Sequence, residues 1–576
     1  MPQVFFGLEN DPTAWSLSSV SPSKTISASH IDEVIPLLQA ADNAVHEGNY
    51  VALMLSYEAA PAFDSAFKTH QQTSLPLAWA AIIPQPEDVG CLFESQNFVV
   101  EWSPQTSRED YDKAITRIHE LIAAGDTYQV NYSFPLTTSF NGDAYSWYRR
   151  LSLAQGAKYC ACLDLGRYQI LSLSPELFFE RRGDSVRTKP MKGTVRRGRW
   201  AEEDALLART LQTSAKDRAE NVMIVDLLRN DLGKVSIAGS VKVTSLFELE
   251  RFETVWQMTS TVESTLRSGV GLVELLGALF PCGSITGAPK IRTMEIIREL
   301  EPYPRGIYTG AIGLIRPGGD CIFNVAIRTV VVDSETGSAT FGVGGGITID
   351  STADREYEEC LVKAKFLNTQ PQTFDLFESL LLEDGDYFLL ERHLDRLRNS
   401  AAFFGFEHSE TDIRSRLEQL KLMNIEGSLK VKLSVAKNGT ISTQVDPIDV
   451  KKEKVFRVGF AATAVNSNDR LLFHKTTQRS FHESQLNERP ECDDIIFFNE
   501  RGEITESTIA NVVVELNGRL VTPPVSAGLL AGTFRDQLIA SGEIEERTIT
   551  LEELQKAFEF FLINSVRKWM RAGLTC

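Results

Sequence analysis

At 576 residues the chain is too long for one ordinary hydrophobic core, so two or more domains are expected. Its 43% hydrophobic and 24% charged residues are a globular balance, and a net charge of -18 excludes a nucleic-acid phosphate backbone as partner while allowing a local basic pocket. No run approaches the ~18 apolar residues of a membrane span, the opening MPQVFFGLENDPTAW lacks signal-peptide blocks, and the eight cysteines form no CxxC pair, so reduced thiols in a cytoplasm are expected.

In chain order, YDKAITRIHELIAAGD carries Ile115, Ile118, Leu121 and Ile122 at helical spacing and stops at Gly125. YQILSLSPELFFERR reads as strand. KPMKGTVRRG sets Lys192 between a proline turn and Gly193, where it is either a solvated loop charge or a nucleophile aimed into a pocket. KDRAENVMIVDLLRNDLGK places Asp217 and Glu220 three apart at a helix start. GAIGLIR and CIFNVAIRTVVV read as strands, the second apolar enough for burial on both faces. FGVGGGITIDS holds three consecutive glycines, Gly344 to Gly346, a plain turn or a place where backbone N–H groups approach an anion. DREYEECLVKAKF then places Glu356 and Glu359 three apart, with Lys363 one turn on. Each acidic pair occupies one helix face. Alone, such a pair is a solvated surface; two facing pairs would make an oxygen-rich site suited to Mg²⁺.

FLNTQPQTFD, Phe366 to Asp375, is the clearest joint, dividing the chain into 1–368 and 374–576. Beyond it HLDRLRNSAAFFGF reads as a helix, SLKVKLSVAKNGTISTQV as a hairpin turning at Asn438-Gly439, and DDIIFFNERGEITESTIANVVVELNG as a meander. Both halves are α+β or mixed α/β. The second offers Lys475, Glu506 between strands, and a glycine-rich turn into a helix at Gly532 and Thr533. Together these would be an imine-forming lysine, an acid for a pyridine nitrogen and a phosphate cradle. Singly they are a surface lysine, a turn acid and an ordinary loop.

The ordered set SPELFFE, KPMKGT, KDRAENVMIVDLLRNDLGK, PCGSITGAPKIRTMEII, RGIYTGAIG, AIRT, GGGITIDS and EYEECLVKAK, over roughly residues 50 to 366, resembles the chorismate-utilising enzymes. The resemblance implies an α/β domain in which large antiparallel sheets hold a deep pocket. It implies Mg²⁺ on Glu220 and Glu359, supported by Asp217 and Glu356. Tyr308, Arg328, Lys363, Ser284 and the Gly344 and Gly346 backbone would hold the carboxylates of chorismate. Members that make anthranilate have alanine at the position of Lys192, whereas aminodeoxychorismate synthases have lysine. Lys192 would attack C2 as the C4 hydroxyl leaves, Glu176 would protonate that hydroxyl, and ammonia would displace the lysine by adding at C4. Gln257 stands where relatives often carry histidine. No cysteine sits on a glycine elbow, so a separate glutamine amidotransferase subunit would supply the ammonia.

FDLFESLLLEDG, LLERHLDRLRNSA, HKTTQR, EITESTIANV, GLLAGTFR and FLINSVRKWM resemble the fold-type IV pyridoxal phosphate enzymes, built of two α/β subdomains. The resemblance implies Lys475 as the Schiff-base lysine and Glu506 opposite the pyridine nitrogen. Arg396, Gly532 and Thr533 would hold the phosphate, Asn564 and Ser565 would line the pocket, and the domain would pair as a homodimer. The joined halves imply 4-aminobenzoate made from chorismate through aminodeoxychorismate and loss of pyruvate. The alternatives are the same synthase joined to a transaminase, an anthranilate-synthase-like enzyme, or a non-catalytic scaffold for a glutaminase.

Overall fold

The computed structural model describes residues 3–7, 17–71, 75–84, 100–368, 374–422, 427–448, 454–557 and 559–575. The chain forms two compact units, Met1–Arg196 with Ala208–Pro371, and Arg197–Leu207 with Gln372–Cys576. Residues 369–373 of the expected joint lie outside the described residues, as do Cys91 and Cys576.

The first unit holds two antiparallel sheets. One, of nine strands, runs Gly287–Ala288, Gln129–Ser139, Ser338–Ile347, Thr329–Asp333, Tyr168–Ser174, Tyr159–Asp164, Val4–Phe6, Leu17–Val20, with Ser103–Pro104 beside Gln129–Ser139. The other, of ten, runs Met191–Arg196, Val255–Thr265, Ser185–Lys189, Leu177–Arg182, Cys321–Val325, Ala311–Ile315, Tyr50–Leu55, Ala78–Ile83, Lys24–Ala28, with Lys242–Arg251 paired to Val255–Thr265.

Two of the runs read as strand are each divided between these sheets. Tyr168–Ser174 belongs to the first and Leu177–Arg182 to the second, so the chain crosses at Pro175-Glu176. Cys321–Val325 and Thr329–Asp333 divide likewise, with Arg328 at φ +52° in the crossing. The glycine run is no turn: Gly344 to Gly346 lie within the strand Ser338–Ile347, paired with Asn131 to Ser133.

The helix read from YDKAITRIHELIAAGD is Arg108–Ala123. The Ser107 hydroxyl caps it by accepting from the Asp110 N–H at 3.1 Å, and Ile115, Ile118 and Leu121 are buried. Gly125 follows its end at φ +82°, a conformation that glycine adopts without strain.

In the second unit, an antiparallel sheet Asp386–Tyr387, Leu376–Glu383, Leu429–Val435, Ile441–Pro447 encloses a core with the helices Leu390–Phe404 and Glu410–Lys421. A mixed sheet of eight runs Ile504–Ser507, Asp494–Phe498, Phe456–Phe460, Lys568–Leu574, Phe560–Asn564, Asn511–Leu516, Arg519–Thr522, Glu545–Glu546. It closes on itself where Glu506 pairs with Asn511, so Glu506 lies within a strand rather than between strands. Residues 197–207 pack in this unit although they precede the joint by more than a hundred and fifty positions. There Arg197 is forked onto Asp204 by two 2.8 Å bonds and donates to the Phe403 carbonyl at 3.2 Å, and Trp200 lies 5.0 Å from the Phe473 ring.

Candidate active sites

The sheet crossings of the first unit carry two of the expected residues. Glu176 is 4% exposed, and its Oε1 accepts from Ser284 Oγ at 2.7 Å. Burial pushes its carboxyl up to about 7, opposed by that hydroxyl and by Lys192, so it can carry a proton near neutrality. Lys192 is not in a loop. It sits in the strand Met191–Arg196 at a register break, followed by Gly193 at φ +89°. Its amine is lowered by burial and further by Lys363, and raised by Glu220, Glu176 and Glu359. A Cβ on Gly346 would stand 3.2 Å from Lys192 Nζ and 2.3 Å from Gln129 Nε2, so the bare backbone there leaves room for both nitrogens.

Gln129 escaped the sequence reading. It is fully buried, and neither its Oε1 nor its Nε2 has a hydrogen-bond partner among the described residues. An amide so placed beside a candidate nucleophile lacks the partner its burial demands, which a bound substrate would supply. Its only sequence signal was a glutamine alternating with apolar residues in TYQVNYS.

Lys363 donates to the Gly344 carbonyl at 2.8 Å and pairs with Glu359 at 2.8 Å. The Arg328 guanidinium donates to the Lys363 carbonyl, and burial pulls it down to about 10. Arg328, Lys363 and the glycine strand therefore gather. Tyr308 faces a neighbouring cavity lined with Ser133, Glu301, Arg305 and Gly342. Ser284 serves Glu176.

The four expected metal ligands are not closed into one cluster: no group of three or more His, Cys, Asp or Glu among the described residues is gathered for a metal. Glu356 accepts from Ser351 at 2.8 Å, and Asp217 stands against Gly193. The Glu220 carboxyl is pushed up by burial, with Asp217 and Glu356 adding to the push. A divalent cation would relieve that crowding, and Mg²⁺ keeps several waters and needs only one or two of these carboxylates. The donor set fits it. Gln257, opposite Thr194, accepts from that hydroxyl at 3.0 Å.

In the second unit Lys475 has its carbonyl bonded to the Phe377 N–H at 3.0 Å and its Nζ 4.8 Å from the centre of the Phe377 ring. Burial, with Arg396 next, pulls its amine down to about 7. Burial pushes Glu506 up to about 7, and its Oε2 accepts from the Leu530 N–H at 3.2 Å. Gly532 caps the helix Thr533–Ala540, and any Cβ there would meet Asn511 Oδ1 at 2.1 Å.

Arg396 bonds Glu378 through Nε at 2.9 Å and Nη2 at 2.6 Å, and the Ala531 carbonyl through Nη1 at 2.9 Å. Three of its five N–H groups are used, which leaves two for a phosphate. Glu378 also accepts from His393 Nδ1 at 2.6 Å, and His393 Nε2 lies 3.1 Å from Thr533 Oγ1. Arg396 and Thr533 are thus joined through one buried carboxylate and one imidazole, which fits a phosphate cradle. Sequence reasoning passed over Glu378 and His393, although both lie in the quoted FES and RHLDR. Asn564 Nδ2 donates to the Ile509 carbonyl at 3.3 Å and Ser565 Oγ to the Ser379 carbonyl at 3.4 Å.

Residues 85–369 match the model of the chorismate binding enzyme family, and residues 375–573 that of amino-transferase class IV. The chain is 42% identical over 258 residues to aminodeoxychorismate synthase component 1 of Bacillus subtilis (strain 168), covering 45% of this chain and 54% of that protein. It is 36% identical to an anthranilate synthase component 1 of Haloarcula marismortui, covering 61% of this chain and 74% of that one. The structure of anthranilate synthase component I from Streptococcus pneumoniae TIGR4 superposes with a TM-score of 0.56 at 27% identity, covering 63% and 94% of the two chains. The chain spans about half the length of the aminodeoxychorismate synthase component 1 relatives it matches. No helix among the described residues is long and apolar enough to cross a membrane.

Proposed function

This chain belongs to the chorismate-binding enzymes, with a class IV amino-transferase domain behind them, and on that premise we propose a two-step synthesis of 4-aminobenzoate from chorismate and ammonia. The observation that carries the reading is Lys192, a lysine whose amine burial lowers, beside the raised carboxyl of Glu176.

In the first step the neutral Lys192 amine forms a bond to C2 of chorismate. Both ring double bonds shift, one to C1–C6 and the other to C4–C5, the C4–O bond breaks, and Glu176 gives its proton to the departing hydroxyl, which leaves as water. Ammonia then bonds to C4, the two double bonds return to C1–C2 and C5–C6, and the C2–N bond breaks to expel Lys192 unchanged. Glu220 and Glu359, with Glu356 and Asp217 beside them, would hold Mg²⁺, which supplies positive charge for a substrate carboxylate. Arg328 and Lys363 orient the substrate. Ammonia would come from glutamine through a separate subunit. The thiols of Cys160, Cys282 and Cys321 are pushed up to about 12 and that of Cys360 to about 11, unsuited to nucleophilic attack.

In the second step pyridoxal phosphate would sit on Lys475, Glu506, Arg396, Gly532 and Thr533, and supplies an electron sink for the substrate amine carbon. Lys475 takes the C4 proton, the C–O bond to the enolpyruvyl group breaks, and pyruvate departs as the ring becomes aromatic.

The test is the purified protein given chorismate, ammonium, Mg²⁺ and pyridoxal phosphate. Equal amounts of 4-aminobenzoate and pyruvate are expected. A second reading, favoured by the class IV amino-transferase match, is a transaminase in the second half; aminodeoxychorismate without pyruvate would select it. Anthranilate as product would overturn the role given to Lys192.

A further inference from the structure

Lys475 is pinned on its C-terminal side, where its carbonyl accepts from the Phe377 N–H at 3.0 Å and Thr476 is bridged to Leu376. On its N-terminal side stand Phe473, the end of the short helix Arg470–Phe473, and His474, both buried. The chain that packs on those two residues comes from before the joint. Arg197 is forked onto Asp204, and the Gly198 N–H donates to the same carboxylate at 2.7 Å, so residues 197–204 close into a tight loop. A Cβ on Gly198 would stand 2.1 Å from the Asp204 backbone nitrogen, a closure that glycine alone permits.

Two chains of contact run from this loop to the lysine. The Arg197 guanidinium lies 4.4 Å from the centre of the Phe403 ring, and that ring lies 4.4 Å from the ring of His474, whose Nδ1 is 2.9 Å from Ser400 Oγ. Trp200 packs on Phe473 with ring centres 5.0 Å apart, and the Arg199 guanidinium lies over both rings, 4.7 Å from Trp200 and 5.6 Å from Phe473. Arg199 also donates to the Ser467 carbonyl at 3.2 Å. Burial pulls the His474 imidazole down to about 3 against the Arg199 main chain, with Arg470 and Arg197 adding to burial, so the ring is neutral. A neutral imidazole with the rings of Phe403, Phe473 and Trp200 makes an apolar seat behind the backbone that carries Lys475.

We infer that residues 197–204 are a brace for Lys475, with Arg199 and Trp200 as positioning residues that fix Phe473 and His474 and complete the second site with chain from before the joint. They act through Lys475 and not on the substrate. A base displaced by a fraction of an ångström loses rate more than affinity. Water let in beside the amine favours its charged form, so the pH at which that nitrogen titrates rises. This rests on the reading that Lys475 carries pyridoxal phosphate and takes the C4 proton.

The test uses the full chain loaded with pyridoxal phosphate and follows two readouts, pyruvate release from aminodeoxychorismate and the pH midpoint at which the visible absorption of the bound cofactor changes. Trp200→Ala should lower kcat about tenfold or more with KM within about twofold, and raise the midpoint by at least about half a unit. Trp200→Phe, which keeps a ring against Phe473, should recover most of both. Arg199→Met removes only the guanidinium from over the two rings and should move both readouts the same way by less; if Trp200→Ala does not fold, it decides alone. A midpoint unmoved in these variants overturns the brace, whatever happens to the melting temperature, because packing alone would alter stability and leave the lysine's titration where it was. If wild type releases no pyruvate, the lyase reading fails separately and the midpoint still decides. If wild type takes up no pyridoxal phosphate, the cofactor reading fails separately. The brace is then read from the pH dependence of Lys475 acetylation, followed by peptide mass, with its midpoint near 7 in wild type and higher in both variants.

Discussion

Lys192 and Lys475 are both lysines whose amines burial pulls below the ordinary range, and each influences electrostatically a glutamate pushed up to about 7. Their surroundings differ in sign. Around Lys192 three carboxylates, Glu220, Glu176 and Glu359, work against burial and hold the proton on. At Lys475 the largest influence after burial is Arg396, which acts with it and takes the proton off. The second lysine is therefore set by the protein, whereas the first depends on what neutralises its carboxylates. A proton on Glu176 and a cation on Glu220 would each release the Lys192 amine. On the proposed reading Lys475 is a base that its neighbours set in advance, and Lys192 is one that a substrate and a metal ion would complete.

The largest expected effects break the two sites apart. Lys192→Ala should cost more than about a thousandfold in formation of aminodeoxychorismate and leave the visible absorption of bound pyridoxal phosphate unchanged. Lys475→Ala should lose that absorption and accumulate aminodeoxychorismate. A Lys192→Ala protein that aminates chorismate normally would sink the nucleophile assignment.

Glu176→Gln sharpens the comparison through pH. In wild type the first step should fall above about pH 7 as Glu176 loses its proton, and fall again in acid as Lys192 gains one. The glutamine variant should lose about 10²–10⁴ in kcat and lose the alkaline limb, while the acid limb remains. Both limbs surviving would mean that another group carries the proton.

How much of this was legible in the sequence follows from the range of the interactions. Capped helices such as Arg108–Ala123 are local, and the motif residues Lys192, Glu176, Lys475 and Glu506 could be named without coordinates. CIFNVAIRTVVV reads as uninterrupted strand because both its parts are apolar; only pairing with distant strands shows that Arg328 stands where the chain changes sheets. The triple glycine reads as a turn because its neighbour Gln129–Ser139 is two hundred residues away. Gln129 was invisible for the same reason, since its lack of partners is a property of the folded pocket. Residues 197–207 pack with the second unit by contacts no local pattern encodes.

Glu378→Gln probes the preset site. This carboxylate is held at about 2 by Arg396 and His393 despite burial, so its contribution to stability is present above its ordinary value near 4.5 and lost as pH falls toward 2. Removing its charge leaves Arg396 buried without a carboxylate, a loss of about 3–5 kcal/mol. Thermal unfolding of the variant should begin earlier and pyridoxal phosphate should dissociate more readily, with the amination step untouched. An unaltered melting transition would mean that Arg396 is supported from elsewhere.

The smallest effects concern two glycines of one strand. A Cβ on Gly344 would meet Ser133 Cβ and the Tyr132 carbonyl oxygen at 2.6 Å, both close to or part of the neighbouring backbone. Gly344→Ala must push two paired strands apart, and about 1–3 kcal/mol of stability should be lost. The nearest atoms that a Cβ on Gly346 would meet are the far ends of two side chains, the Gln129 amide and the Lys192 amine. Those ends can move, so Gly346→Ala should melt within about 0.5 kcal/mol of wild type while KM for chorismate rises several-fold. The pair separates a glycine that the sheet requires from one that the pocket requires. If Gly346→Ala lowered the melting temperature as much as Gly344→Ala, the empty space beside Lys192 would belong to the packing of the sheet and not to a substrate.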